Sequence, residues 1–76
     1  MNKSSLNEAR VSIGEIVFNK RNEMKLTQED VSNASGISKN TLGRIEQGKF
    51  SPGTDLLLSI FKILNIQLKI DKEIIT

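Results

Sequence analysis

The apolar residues of this chain fall into short groups with different spacings, separated by glycine, proline or cap-type residues. Ile13, Ile16, Val17 and Met24 recur at helical intervals and predict a first helix over about residues 13–24. Ser12-Ile13-Gly14-Glu15 supplies the capping box that opens it, and Leu26 turns inward from the connector that follows. Next come isolated inward positions, Val31, Ile37, Leu42 and Ile45, spaced for two short helices rather than one long one. Thr27 caps the first of these, with Asp30 placed to reach back, and Ser35-Gly36 stops it. Ser38 caps the second, Lys39 to Gln47, which Gly48 ends. Lys49-Phe50-Ser51-Pro52-Gly53-Thr54 reads as a loop, and a fourth helix follows over about residues 54–64. Leu56, Leu57, Ile60, Phe61, Ile63 and Leu64 make that helix apolar on more than one face, which points to a second partner surface. The period then changes: Ile66-Gln67-Leu68-Lys69-Ile70-Asp71 alternates strictly, as a half-buried strand does.

Thr27 to Lys49 is the stretch that organises the rest. Two short capped helices joined by a tight turn containing glycine constitute a helix-turn-helix. Ser32 and Ala34 are small enough to let the first helix approach its neighbours. The exposed remainder of the second is Lys39, Asn40, Thr41, Gly43, Arg44 and Gln47, a polar face almost free of acid. Such groups hydrogen-bond base edges and phosphate. An ordinary solvated helix face has a similar composition; the coincidence with the turn chemistry favours nucleic acid.

Composition narrows the field further. The 76 residues carry 11 Lys and Arg against 9 Asp and Glu, a net charge of +2, so any DNA affinity depends on where the cations sit. With no Cys and no His, Ser-His and Cys-His catalysis are excluded, and zinc would find only carboxylates. No enzymatic activity, cofactor or metal is expected. The absence of Trp and Tyr removes the usual stacking platforms for single strands. Phe18, Phe50 and Phe61 fall where core is expected. The longest apolar run, Leu56 to Leu58, is far too short for a membrane span, and the first residues lack the apolar stretch expected of a signal peptide. A cytoplasmic protein without a membrane partner is expected.

The stretch resembles the Cro and phage-repressor superfamily of helix-turn-helix proteins, the xenobiotic-response-element type. Thr27-Gln28-Glu29, Gly36-Ile37-Ser38 and Thr41-Leu42-Gly43-Arg44-Ile45-Glu46-Gln47-Gly48 carry the resemblance, with Arg21 upstream. It extends over about residues 13–64. The resemblance implies that Lys39, Asn40 and Arg44 reach base edges, and that Thr27, Gln28, Gln47 and Lys49 grip phosphate. Thr41 and Ser38, from their places on the same helix, join the base and phosphate candidates respectively. It also implies that Arg21 pairs with Glu46 across the domain. Two positions depart from the family pattern: Ser32 replaces the usual Ala at the close helix contact, and Gly43 sits inside the recognition helix. A mid-helix glycine costs about 1 kcal/mol against Ala.

These readings combine into a mainly α protein of four helices, with a recognition helix at about residues 38–47. Residues 1–11 are expected to be a flexible lead-in, 12–65 the helix-turn-helix domain, and 66–76 a dimerising tail. Lys3 and Arg10 are the cations that an amino-terminal arm would offer to a minor groove. A lone strand has no mate within a helical chain, so Ile66, Leu68 and Ile70 are expected to pair with the same strand of a second copy. The tail then resembles that of dimeric antitoxins from persistence-type modules; the alternative is a short fifth helix. The expected function is a homodimeric transcriptional regulator, a repressor binding a palindromic double-stranded DNA operator. An antitoxin with a toxin partner and a protein-interaction adaptor are the rival readings.

Overall fold

The computed structural model describes the backbone of residues 3–76 and the side chains of residues 6–76. Four helices, α1 (Lys3–Glu23), α2 (Gln28–Ser35), α3 (Lys39–Glu46) and α4 (Thr54–Ile63), are followed by two short strands, β1 (Lys69–Ile70) and β2 (Glu73–Ile74). The core is one cluster, with Val17 from α1, Val31 from α2, Leu42 and Ile45 from α3, and Ile60, Phe61 and Leu64 from the α4 segment. Ile13, Leu26, Ile37 and Phe50 pack around it. No helix among the described residues is long and apolar enough to cross a membrane.

Local chemistry sets α2 and α3 where the caps require. Thr27 accepts from the Asp30 backbone N–H at 3.0 Å, and Asp30 accepts from the Thr27 N–H at 2.8 Å, a complete capping box. Those bonds hold the exposed Asp30 carboxyl below its ordinary range, the Thr27 backbone N–H first and its side chain second. Gly36 takes the left-handed conformation at φ 78° that ends α2. Ser38 accepts from the Thr41 N–H at 3.0 Å and starts α3. Between them Ser32 donates its hydroxyl to the Ile37 carbonyl. Serine at this close helix contact therefore ties the turn together, which Ala cannot do.

The first helix differs from expectation. It begins at Lys3 rather than near Ser12, so the segment read as a flexible lead-in is helical over its described part. Arg10 lies on this helix and its Nη1 donates to Asn7 Oδ1 at 3.4 Å; the side chain of Lys3 lies outside the described residues. The helix also turns a different face inward. Gly14, Val17 and Arg21 are buried, whereas Ile16 and Met24 are exposed and Phe18 is 46% exposed. The reason is a close crossing. A Cβ on Gly14 would lie 2.7 Å from the Glu46 carbonyl oxygen, and nearer still to that of Ile45. Only a bare Cα lets α1 approach the end of α3 so closely, and the stripe containing Gly14 is thereby the inward one.

The carboxy-terminal strand is a correction. Lys69–Ile70 pairs antiparallel with Glu73–Ile74 of its own chain, in the register Lys69 to Ile74 and Ile70 to Glu73. Among the described residues no fifth helix forms; the chain from Ile66 to Leu68 is neither helix nor strand, and Ile75 N–H donates to the Leu68 carbonyl at 2.7 Å beyond the paired strands. Asp71, at φ 56°, makes the reversal. Asp and Asn are the residues other than Gly that most readily take that conformation, and neither a Gly nor an Asn marks this turn in the sequence. The Thr76 hydroxyl accepts from Leu68 N–H and donates to the Ile66 carbonyl, fastening the end of the hairpin. Ile66 and Leu68 consequently pack on their own core, and of the expected dimer residues only Ile70 is exposed.

The crossing yields a prediction. Gly14→Ala should destabilise the fold by about 1–3 kcal/mol, because backbone rather than a flexible side chain must move. Urea unfolding of the variant measures it, and an unchanged midpoint would mean that α1 and α3 do not meet at this point.

Candidate nucleic-acid interface

The helix α3 is eight residues long and divides its faces sharply. Leu42 and Ile45 enter the core, and Glu46 turns sideways into a polar cluster beneath the helix. Lys39, Asn40, Gly43, Arg44 and Gln47 face outward and, with Gln28 of α2, line an open recess of about 550 Å³. No acidic residue lines it. The structure thus brings Gln28, Lys39, Asn40, Arg44 and Gln47 together on one surface, from positions that are neighbours on a helix or across the turn.

The other candidates stand apart from that recess. Thr27 and Ser38 are exposed, and their hydroxyl oxygens accept hydrogen bonds from the backbone N–H groups of the helix caps. Ser38 also donates to the Thr41 hydroxyl at 2.8 Å; Thr41 is half-buried and outside the recess lining. Lys49 is exposed just beyond α3, its backbone N–H bonded to the Arg44 carbonyl at 2.8 Å.

Beneath the recess lies the cluster that orients α3. Arg21 Nε donates to Glu46 Oε2 at 2.6 Å and its Nη2 to Oε1 at 3.1 Å, a two-pronged pair with side chains only 9% and 4% exposed. The third nitrogen, Nη1, donates to the Leu26 carbonyl at 2.9 Å. Gln28 Nε2 completes the set by donating to Glu46 Oε1 at 3.0 Å. Among the described residues no buried side-chain polar atom lacks a partner. Two aromatic contacts steady the cations: the Arg21 guanidinium lies 5.6 Å from the Phe18 ring centroid, and that of Arg44 lies 5.6 Å from Phe50. Phe18, expected in the core, is instead a partly exposed lid on Arg21. The Gln28–Glu46 bond and the seating of Arg44 on Phe50 have no local signature, because the partners are far apart or in different elements.

A polar, acid-free helix face mounted on a capped turn defines a helix-turn-helix of the Cro and phage-repressor type, a class of DNA-binding transcriptional regulators. The chain belongs to this family: the helix-turn-helix family profile matches residues 18–70, most of its length. It is also similar to the ImmF control region 10 kDa protein of Bacillus phage phi105, with 33% identity over 60 residues, covering 79% of this chain and 67% of that one. An uncharacterized helix-turn-helix transcriptional regulator of Methanocaldococcus jannaschii is 36% identical over 44 residues, covering 58% of this chain and 67% of its own. Among the described residues no group of His, Cys, Asp and Glu is placed to hold a metal ion.

Removing one member of the Arg21–Glu46 pair leaves the other charge buried without its partner. Arg21→Ala and Glu46→Ala should each cost about 3 kcal/mol or more, and the double variant clearly less than their sum. Thermal unfolding of the four proteins tests this, strict additivity being the contrary result.

Proposed function

We propose that this protein is a sequence-specific double-stranded DNA-binding transcriptional regulator of the cytoplasm, acting as a homodimeric repressor of a roughly palindromic operator. The observation that carries this reading is the recess. A capped helix presents Lys39, Asn40 and Arg44 from an acid-free surface, on a support rigid enough to fix their geometry. The helix α3 lies in the major groove, where those three side chains address base edges. Thr27, Gln28, Gln47 and Lys49 hold flanking phosphates, while Ser38, whose hydroxyl already donates to Thr41, fixes the start of the helix. No catalytic step is required. A relative named for a phage control region and another named as a transcriptional regulator support the same class.

Dimerisation supplies useful affinity, since linking two heads makes the second contact effectively intramolecular. The hairpin supports this part. Residues opposite one another in an antiparallel pair share a face, so Leu68 and Ile75 lie on one side of it together with Ile70 and its partner Glu73. Leu68 packs on the core, but Ile70 and Ile75 continue its apolar row outward, 58% and 43% exposed. A second copy covers that continuation and sets the two α3 helices about 34–36 Å apart, one turn of DNA.

Two measurements test the reading. In gel shifts, Lys39→Ala, Asn40→Ala and Arg44→Ala should each cost about 1–3 kcal/mol on the selected operator and less on random DNA. Lys49→Ala should weaken both and flatten the salt slope by about one unit. Equal losses on both DNAs for all three reading residues would overturn the assignment.

The second measurement addresses assembly. Ile70→Lys combined with Ile75→Lys should leave the fold intact, because both side chains are exposed, while producing a monomer with weak operator binding. Sedimentation beside the unaltered chain decides it. A variant that remains a tight dimer would place the interface elsewhere.

A further inference from the structure

Phe50 follows Arg44 by six positions, and the chain between them turns back on itself. Gly48 takes the left-handed conformation at φ 74°. Its N–H donates to the Ile45 carbonyl at 3.0 Å, and the Lys49 N–H donates to the Arg44 carbonyl at 2.8 Å. These two bonds close the end of α3 and fold the following residues back along it. Phe50 is thereby returned to the side of Arg44. Its half-buried ring packs on the core and borders a small cavity of about 60 Å³ with Ile13 of α1, Ile45 of α3 and Leu57 of α4. Three helices therefore fix where the ring stands.

The Arg44 guanidinium lies over this ring, 5.6 Å from its centre, within the range at which the negative face of an aromatic ring attracts a cation. Among the described residues the Arg44 side chain makes no salt bridge and no hydrogen bond, so its N–H donors are uncommitted. It lines the open recess together with Lys39 and Asn40, neither of which has a partner of this kind among the described residues. Of the two charged side chains in the recess, Arg44 is the one whose end is already placed.

We infer that Phe50 is a positioning residue for DNA reading, holding the Arg44 guanidinium ready for the guanine of a G·C pair. This rests on the reading of α3 as the helix that enters the major groove with Arg44 toward a base edge. Guanine offers O6 and N7 there as adjacent acceptors, which the planar fork of a guanidinium meets with two bonds. Attraction to a ring face needs no acceptor atom, so the contact with Phe50 leaves that fork available. A long side chain without such a support must be ordered at the moment of binding, and it can swing to a neighbouring phosphate instead. Phe50 therefore acts on the choice of base more than on the overall attraction to DNA.

The test selects bound duplexes from a random pool with the full chain, comparing the unaltered protein with Arg44→Ala, Phe50→Leu, Phe50→Tyr and the Arg44→Ala, Phe50→Leu double variant. Arg44→Ala, altering an exposed side chain, should erase a preference for G·C worth about tenfold or more at one half-site position. Phe50→Leu keeps an apolar side chain on the core and should weaken that same preference about two- to fivefold, leaving the other positions unchanged. Phe50→Tyr, which keeps the ring, should retain it, and the double variant should match Arg44→Ala. Binding is compared well below the unfolding midpoint of every variant. An independent readout needs no variant: in the free protein the ring should displace the NMR signals of the Arg44 side-chain protons upfield. Undisplaced signals, a Phe50→Leu variant with the G·C preference intact, or equal losses at all positions would each refute the positioning role, while operator reading by Arg44 could still stand. If the unaltered protein enriches no sequence, or Arg44→Ala weakens all duplexes alike, the reading of Arg44 fails first and this inference with it.

Discussion

One carboxylate joins the first three helices. Glu46, on α3, takes two bonds from Arg21 of α1 and one from Gln28 of α2, and Arg21 also reaches back to the connector through Leu26. Burying a charge this deeply is costly unless its oxygens are hydrogen-bonded, and here both are. The arrangement matters because α3 has little else to hold it. It is short, and only Leu42 and Ile45 enter the core. Apolar contacts of that kind tolerate sliding and rotation, whereas a bidentate guanidinium–carboxylate pair has one good geometry. The direction in which α3 points its polar face is therefore set mainly by this pair, with the bare Cα of Gly14 allowing α1 close enough to make it.

The parts of the fold that were legible in the sequence are those specified locally. Thr27 with Asp30, Gly36, and Ser38 define α2, the turn and α3 within a few residues of themselves, and the structure has those elements at those positions. The apolar group from Leu56 to Leu64 marks α4 in the same way. What local pattern did not disclose was decided by tertiary contact. The first turns of α1 have no acidic residue to mark their start, and their apolar residues Leu6 and Val11 remain largely exposed, so periodicity carried little signal there. Ile16 and Met24 looked inward by spacing, yet the Gly14 crossing rotates the helix so that a charged residue, Arg21, takes the buried place. The hairpin was hidden by its turn, since Asp71-Lys72 lacks the glycine that usually advertises one.

The candidate site was legible to a similar depth. Lys39, Asn40, Arg44 and Gln47 follow from helix geometry once α3 is located, and the structure groups them. Thr41 shows the limit of that reasoning. On a helical wheel it belongs to the polar remainder, but its hydroxyl is engaged by Ser38 and it lies away from the recess. Gln28 shows the opposite. Its connection to the recess depends on a contact between helices, which no spacing within one helix can reveal.

The division of labour on α3 has a consequence for how such a protein can change. Residues that hold the helix, Leu42, Ile45 and Glu46, are separate from those that line the open recess, Lys39, Asn40, Arg44 and Gln47. Substitution of exposed polar residues usually alters stability by only a few tenths of a kcal/mol, so the outer set can vary without unfolding the domain. The two sets meet at Gln28, which is bonded to Glu46 on one side and open to the recess beside Gly43 on the other. A change there acts on both at once: it alters the lining of the recess and removes one of the bonds that satisfy the buried carboxylate. The recess is thus coupled to the buried carboxylate through this amide, and freedom to change there is narrowest at Gln28.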